Sequence, residues 1–580
     1  MRPRAAVDMV GSRNGGARRR LNLWGWLKGE VGSMRTRLSG GRRRATASRR
    51  APTPSRLVGV ACLVLPLAAC AVGPDFSPPT APISDKFAGA NSGSIKTAGR
   101  DYRDWWRAFR DPTLDRLVQI AYDQDLTLLS AGTRVLQARA VLGVAIGEFY
   151  PQVQQGNGSL MDNRTSAASP LAAANSSPKI FWTDSLGVQA AWELDFWGKF
   201  RRGVESADAA YLASIANYDQ VLVSLIGDVA ATYIGIRTTE QLISIARDNI
   251  RKQEDSLKIA KAKFQAGGTS ELAVFQATQV LEATQAAIPQ LEIQLQQGRD
   301  ALCVLLGEPP QSLGRLLARS RGIPTPPRAI AVGIPADLLR RRPDIRAAEL
   351  AALAQSEQIG VAEAQLFPAI SISGNFGGSA STANGHNLGQ AFTAAGVAAA
   401  GGPSFQWNIL NYGQIANNVR LQDATLQQLL VDYQNSVLTA EQQVGNGIST
   451  FVQSRSQAEY LRLSANAASG ALKIALDQYD SGLTDFTSVL VAEQNLFQTQ
   501  SNLAVAQSNM SLGATAIYRA LGGGWQIRKD SEFVTPATRD QMRARTDWGE
   551  LLPPAGEPQP PAPGLPSPAD LGPSVRPPEF

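Results

Sequence analysis

Residues able to do covalent or metal chemistry are few in this chain and far apart. The single histidine, His386, lies in Ala383-Asn384-Gly385-His386-Asn387-Leu388-Gly389, which reads as a loop between strands. One imidazole excludes most metal sites and histidine-based catalysis. Three cysteines cannot build a disulfide framework. Cys303 lies among Leu302, Val304 and Leu305, the setting of a small buried hydrophobe rather than a nucleophile. Glu193 and Asp195 have the spacing of paired carboxylates, but alternate positions on one wet strand face explain them without acid–base work. No Gly-x-Ser-x-Gly elbow, phosphate loop or His-Glu-x-x-His helix occurs in the body. The chain therefore reads as no enzyme, with no metal and no cofactor beyond one covalent lipid.

That lipid belongs on Cys70. A basic segment ending at Arg56 is followed by an apolar run, Leu57 to Ala69, that closes on Leu67-Ala68-Ala69-Cys70. The pattern is a secretory signal, too short for the roughly 20 residues of a membrane-spanning helix. Its end resembles a bacterial lipobox, in which the cysteine is acylated and becomes the new N-terminus. Ala71 rather than an aspartate follows, which predicts onward transport to the outer membrane. Met34 would start a more ordinary leader, so 1–33 read as an over-extended start.

The formal charge of +7 suggests a nucleic-acid partner until its distribution is read. Residues 1–69 carry 15 Lys and Arg against Asp8 and Glu30, and the remainder carries 41 basic against 47 acidic residues, a net of −6. The body thus lacks the basic stripe that nucleic acid requires. At the other end, residues 553–580 hold 11 of the 34 prolines, the composition of an extended, disordered tail.

Between these ends the chain repeats itself. Gly143-Val144-Ala145 recurs as Gly360-Val361-Ala362 and Tyr150-Pro151 as Phe367-Pro368, an offset of 217. Trp192, Gly198, Tyr218, Gly267 and Leu306-Gly307 recur as Trp407, Gly413, Tyr433, Gly482 and Leu521-Gly522, an offset of 215. Each copy reads as a helical segment (about 112–149 and 336–366), two strands, a very long helix, a glycine turn and a returning helix. In 185–196 the residues Leu186, Val188, Ala190, Trp192, Leu194 and Phe196 share one face, opposite Gln189, Glu193 and Asp195. Residues 370–376 and 404–409 alternate likewise, and the strand after Pro151 is weaker. An apolar face, a polar face and tryptophans near the ends fit a membrane barrel with a wet lumen, and equally a soluble sandwich.

Residues 199–266 contain no proline, and 68 residues at ~1.5 Å each span about 100 Å. Leu222, Val229, Ile236, Ile243, Ile250, Leu257 and Phe264 recur every seven residues, and Val437, Val444, Phe451, Ala458, Ala465, Leu472 and Tyr479 form the second column. A seven-residue period holds a seam against a neighbour when helices supercoil. Gly267-Gly268 and Gly482 sit where these rods must reverse. Four strands leave two unpaired edges, which lipid does not tolerate, and membrane barrels need about eight or more. The chain must supply part of a barrel, two chains giving eight strands or three giving twelve.

These features resemble the TolC family of outer-membrane efflux channels, in its OprM-like or NodT lipoprotein branch. The likeness rests on Cys70-Ala71-Val72-Gly73-Pro74-Asp75-Phe76, Asp337-Leu338-Leu339-Arg340-Arg341-Arg342-Pro343-Asp344-Ile345-Arg346, Ala475-Leu476-Asp477-Gln478-Tyr479 and Ala520-Leu521-Gly522-Gly523-Gly524-Trp525, and spans about 70–524. It implies a mixed α/β membrane protein: a homotrimer whose twelve strands form one outer-membrane β-barrel, continued by an α-helical periplasmic tunnel. It implies the exit duct of a tripartite RND-type efflux system, docked on a periplasmic adaptor (membrane fusion) protein and an inner-membrane RND pump. It implies closure near the tip by a tyrosine and an aspartate. The tyrosine position is Tyr479, with Phe264 its counterpart in the first copy. The aspartate position holds Val491, which leaves Asp485 and Glu493 as the nearby acids and Val491 itself as an apolar ring. The turns at Gly267, Gly268 and Gly482 would meet the adaptor.

The expected organisation follows. A leader covers 1–69, a lipidated segment 70–111, the first repeat 112–307 and a linker 308–335. The second repeat covers 336–524, a C-terminal equatorial segment 525–552 and the tail 553–580. The rival is a soluble periplasmic coiled-coil lipoprotein of the adaptor type, which would lack tryptophan-flanked apolar strand faces.

Overall fold

The computed structural model describes residues 71–89, 93–96, 101–164, 180–311, 313–318, 322–528 and 532–552. The leader, Cys70 and the proline-rich segment lie outside the described residues.

Two helical hairpins dominate. In the first, α3 (Lys199–Gln265) and α4 (Glu271–Leu305) have 67 and 35 residues. In the second, α6 (Gln414–Asp480) and α7 (Phe486–Ala520) have the same two lengths. Gly198 and Gly413 precede the long helices with φ of 79° and 83°, and Gly267 and Gly482 follow them with φ of 71° and 74°. At the first turn Gly267 N–H donates to Phe264 C=O and Gly268 N–H to Lys263 C=O; at the second, Gly482 N–H donates to Tyr479 C=O and Leu483 N–H to Gln478 C=O. This paired pattern needs one left-handed residue, which glycine adopts without a Cβ clash.

The seven-residue columns are the packed seams over most of their length. Leu222, Val229, Ile236 and Ile243 are buried, as are Val437, Val444, Phe451, Ala465, Leu472 and Tyr479. One 18-residue window of α3 is apolar enough to cross a membrane, but 67% of it is buried inside the protein, so its apolarity serves packing.

The shorter helices are broken where local chemistry requires it. The segment expected as one helix over 112–149 is α1 (Pro112–Gln124) and α2 (Leu126–Phe149), separated at Asp125, whose carboxylate accepts from Leu128 N–H at 2.6 Å. A side chain that caps a new first turn in this way ends the previous helix. In the second copy Pro343 opens α5 (Pro343–Ala364), the position where a missing N–H costs nothing.

Four strands form one antiparallel sheet in the order β2 (Val153–Arg164), β3 (Ile180–Leu194), β5 (Ala369–Ser381), β6 (Val397–Gln406). A two-residue parallel pair, β1 (Ile95–Lys96) with β4 (Ile330–Ala331), lies apart from it. The strand expected over 404–409 ends at Gln406, because Trp407 donates its indole N–H to Leu366 C=O and the chain turns, with Ile409 N–H on Trp407 C=O. Phe196 leaves the first-copy strand by the same turn, its N–H on Leu194 C=O.

The core lies at the equator, around the start of α1 and the ends of the hairpins. Trp105 stacks on Tyr518 with ring centroids 5.1 Å apart. Gly523 and Gly524 admit Trp105, since a Cβ on Gly523 would meet its ring at 3.0 Å. Arg342 grips Asp344 at 2.9 and 2.6 Å and donates to Ala520 C=O, while the Trp525 indole donates to Arg341 C=O. The Arg-Arg-Arg-Pro-Asp and Leu-Gly-Gly-Gly-Trp segments thus close on each other.

Candidate functional site

The sheet has two chemically different sides. Residues directly opposite share a face, so Val188 lies with Phe376, Trp192 with Ile372, Leu194 with Ile370, and Ile370 with Phe405. Leu186, Val188, Ile372, Phe376, Val397 and Phe405 are exposed on that face. The other face is a hydrogen-bonding surface. Ser159 meets Ser185 at 2.8 Å, Gln189 donates to Gln155 at 2.9 Å, and Ser371, Ser373 and Asn375 continue the row. A wall with one apolar and one polar side separates lipid from water. Among the described residues β2 and β6 each pair on one side alone.

At the lower rim, Glu193 and Asp195 are fully used in structure. Glu193 binds Lys199 at 3.0 Å. Asp195 accepts from the N–H groups of Phe200 and Arg201 at 3.0 and 2.9 Å and pairs with the Arg201 guanidinium at 3.1 Å. It caps α3, whose own N-cap, Gly198, has no side chain. Next to this rim runs the N-terminal strap. Val72 N–H donates to Trp197 C=O at 3.0 Å, a Cβ on Gly198 would meet Ala71 at 2.8 Å, and one on Gly73 would meet Gly360 at 2.5 Å. Arg202, nearly buried, binds Glu357 at 2.6 Å and Asp75 at 3.0 Å. Ala71 is thereby fixed at the junction of sheet and helices.

The two hairpin turns form the other end of the site. Tyr479 is buried, with its ring edge-on to Phe486 at 5.2 Å and its hydroxyl without a partner. Lys263 of α3 reaches across to the C-terminus of α6, donating to Tyr479 C=O and Asp480 C=O at 2.6 Å each, with its ammonium 5.0 Å from the Tyr479 ring centre. A cation on the orphan carbonyls at a helix C-terminus opposes the negative end of its dipole. Above the turn, α3 and α7 are joined by buried polar rungs. Thr238 meets Ser508 and Asn249 donates to Gln500, both at 2.8 Å, and Ser256 donates to Glu493 at 2.5 Å. Burial pushes the Glu493 carboxyl up, against a smaller downward effect of the Ser256 hydrogen bond.

A profile of the outer membrane efflux protein family matches residues 117–308 and 334–523. The chain belongs to this family. The two matched segments start 217 and end 215 residues apart, the same offsets as the internal duplication. The chain is 30% identical over 473 residues to nodulation protein T of Rhizobium leguminosarum bv. viciae, covering 81% of this chain and 94% of that protein. It is 30% identical over 465 residues to the pyoverdine export outer membrane protein OpmQ of Pseudomonas putida, covering 80% and 96%. Among solved structures, the outer-membrane channel OprN superposes with a TM-score of 0.72 at 31% identity, covering 79% of this chain and 100% of that one. The protein is an outer-membrane efflux channel, not an enzyme and not the soluble adaptor weighed as its rival.

The expected gate residues are not all brought together. Tyr479 is at the turn with Phe486 and Lys263. Phe264, its counterpart, is 42% exposed, and Asp485, the N-cap of α7, and Val491 in its second turn are exposed. Glu493 departs from expectation. It does not line a charged ring beside Tyr479, because it is buried 2% exposed between α3 and α7, where no water solvates a charge. Gly267, Gly268 and Gly482 are exposed at the turns. Lys263, Ser256 and Gln253 were missed. A lysine in the last turn of a long helix was the available signal for the first. Ser256 and Gln253 fall outside the apolar column, and only the approach of α7 brings Glu493 to Ser256.

Proposed function

We propose that the protein acts as a homotrimer, in which three four-stranded sheets close into one twelve-stranded barrel and six helical hairpins form a periplasmic tunnel about 100 Å long. The observation that carries this reading is the sheet, with an unpartnered apolar face and two open edges, which lipid tolerates only in a closed barrel. The duplication supports closure by neighbouring copies. Positions buried in the first copy are bare in the second: Val223 is 1% exposed and Leu438 48%, and Ile245 is 9% exposed and Tyr460 74%. Trp197 stacks on Phe367 at 4.6 Å within the chain, whereas their counterparts Tyr412 and Tyr150 are in different places, Tyr412 being 98% exposed. A neighbouring copy supplying its first repeat covers both. Leu438→Glu in detergent, followed by native mass spectrometry, tests the reading: a trimer that persists with its barrel intact would overturn it.

In this reading the hairpin turns are the closed periplasmic end, with Tyr479, Lys263 and Phe486 holding it, Asp485, Val491 and Phe264 around the opening, and Gly267, Gly268 and Gly482 offered to a periplasmic adaptor that joins the duct to an inner-membrane RND-type pump. Cys70 carries lipid at the rim where Ala71 packs, so that its acyl chains enter the inner leaflet beside the barrel. Relatives at 27–30% identity are named for pyoverdine, toluene and cation efflux, which supports a duct whose cargo is chosen by the pump.

A further inference from the structure

The α3–α7 seam contains one ionisable group with no charge to balance it. Glu493 Oε1 accepts from the Ser256 hydroxyl, while Glu493 Oε2 and, one turn along α3, Gln253 Oε1 are buried without partners. A proton on Glu493 Oε2 would give this seam a donor that it lacks, since a protonated carboxyl is a donor and a carboxylate is not. The elements packed around this seam bring apolar groups: Ala273 and Ala277 from α4, and Leu472 and Ala475 from α6. Charged residues nearby face elsewhere. Lys252, Glu271, Glu282, Lys473, Asp477, Asp480 and Asp485 are exposed. Lys263 lies seven residues along α3, about 10 Å away, and is occupied by the Tyr479 and Asp480 carbonyls.

The duplication makes the position more specific. At the offset of 215, Ser256 and Glu493 correspond to Ala471 and Thr278, the residues that a seam between neighbouring copies would bring together. The acid therefore occurs in three of six seams around the tunnel, each inside one chain.

We propose that Glu493 is a proton-controlled latch: protonated, it ties α7 to α3 above the turn and keeps the tip shut; ionised, it loosens that seam and favours the open duct. The latch rests on reading the turns as the closed end. Burial raises the carboxyl's proton affinity in the closed seam above that in a hydrated, open one. The closed state is then fully stabilised at acidic pH and loses that stabilisation as pH rises through the raised value. The proton goes to solvent.

The test is conductance of the full-length trimer in planar bilayers from about pH 5 to about pH 8. Each tenfold difference in proton affinity between closed and open seams gives about a tenfold change in their ratio per subunit, so the wild-type open fraction should rise about tenfold or more. Glu493→Gln should stay closed and lose the pH slope, and Ser256→Ala, which removes the hydrogen bond that lowers the carboxyl's proton affinity, should move the slope to higher pH. A Glu493→Gln channel that keeps the wild-type slope overturns the latch and moves the proton elsewhere, with the tip reading intact. A tip that ignores Lys263→Ala at fixed pH instead overturns the tip reading. Should the glutamine variant fail to assemble, amide exchange of residues 250–260 in the wild-type trimer, corrected for intrinsic rates, decides: protection that does not fall with rising pH overturns the latch.

Discussion

The two hairpins share helix lengths and glycine positions, yet they live in different surroundings. The first long helix, α3, is packed by α1, α2, α4, α5 and α7, while α6 packs mainly on α5 and α7. In consequence α3 buries Arg202, Arg237, Asn249, Gln253 and Ser256, each except Gln253 joined to a side-chain partner in the same chain. The matching flank of α6 presents Val431, Leu438 and Tyr460 to the outside. Duplication copied the backbone and then the sequences diverged. The first copy carries polar rungs between α3 and α7 within the chain, and the second leaves an apolar flank exposed. Buried polar groups are stable only with fixed partners, whereas an apolar flank tolerates the tolerances of assembly.

The sharpest way to break this comparison is a charge at matched positions. Val223→Glu should prevent the subunit from folding, since an unpaired buried charge costs several kcal/mol. Leu438→Glu should leave the subunit folded and abolish the trimer. Circular dichroism and native mass spectrometry separate the two, and identical behaviour would end the distinction between an inner and an outer hairpin.

Next in size are the glycines that end the returning helices, Gly307 and Gly522, both left-handed at φ of 71° and 69°. A Cβ on Gly307 would lie 2.2 Å from Gln124 C=O, and one on Gly522 3.0 Å from Arg341 C=O. Backbone strain and overpacking together predict about 3 kcal/mol or more for Gly307→Ala and about 2 for Gly522→Ala. Heat dissociation of the trimer on gels should rank them in that order; a reversed order would show that the backbone at 124 yields.

A smaller effect is expected at the tip. Lys263→Ala removes two charge-assisted bonds and should raise the open fraction, with about 1 kcal/mol lost per subunit. Gln478→Ala, at the matching place in the second copy, should do less, because an amide brings no charge to the helix end. Single-channel recording compares them, and a larger effect from Gln478 would put the main lock between copies. The smallest change is Gly267→Ala against Gly482→Ala. Open space surrounds both sites, so the left-handed backbone alone contributes, about 1 kcal/mol each, and unequal melting shifts would reveal an unseen neighbour.

Much of this was legible in the residues. The heptad columns, the glycine turns and the 215-residue offset located both hairpins, because periodicity and left-handed glycines are local properties of the chain. The alternation in 185–196 located the apolar face before any register was known, although the strand ends at Leu194. Strand ends were less accessible: Trp407 and Ile409 continue the alternation, and only the bond from the Trp407 indole to Leu366 shows that the strand has already ended. Glu493 was harder still. Its heptad place fits a solvated acid as well as a buried one, and the difference is the arrival of α7 against Ser256.

The sequence by itself determined the duplication, the rods, the family and the absence of catalytic chemistry, since these follow from pattern and residue type along one chain. Tertiary structure alone decided which polar residues are satisfied, which apolar flank is left bare, and that Lys263 caps a helix more than 200 residues away. Those outcomes depend on which surfaces meet across the duplicated halves, and two copies with one pattern can be told apart only by what each is packed against.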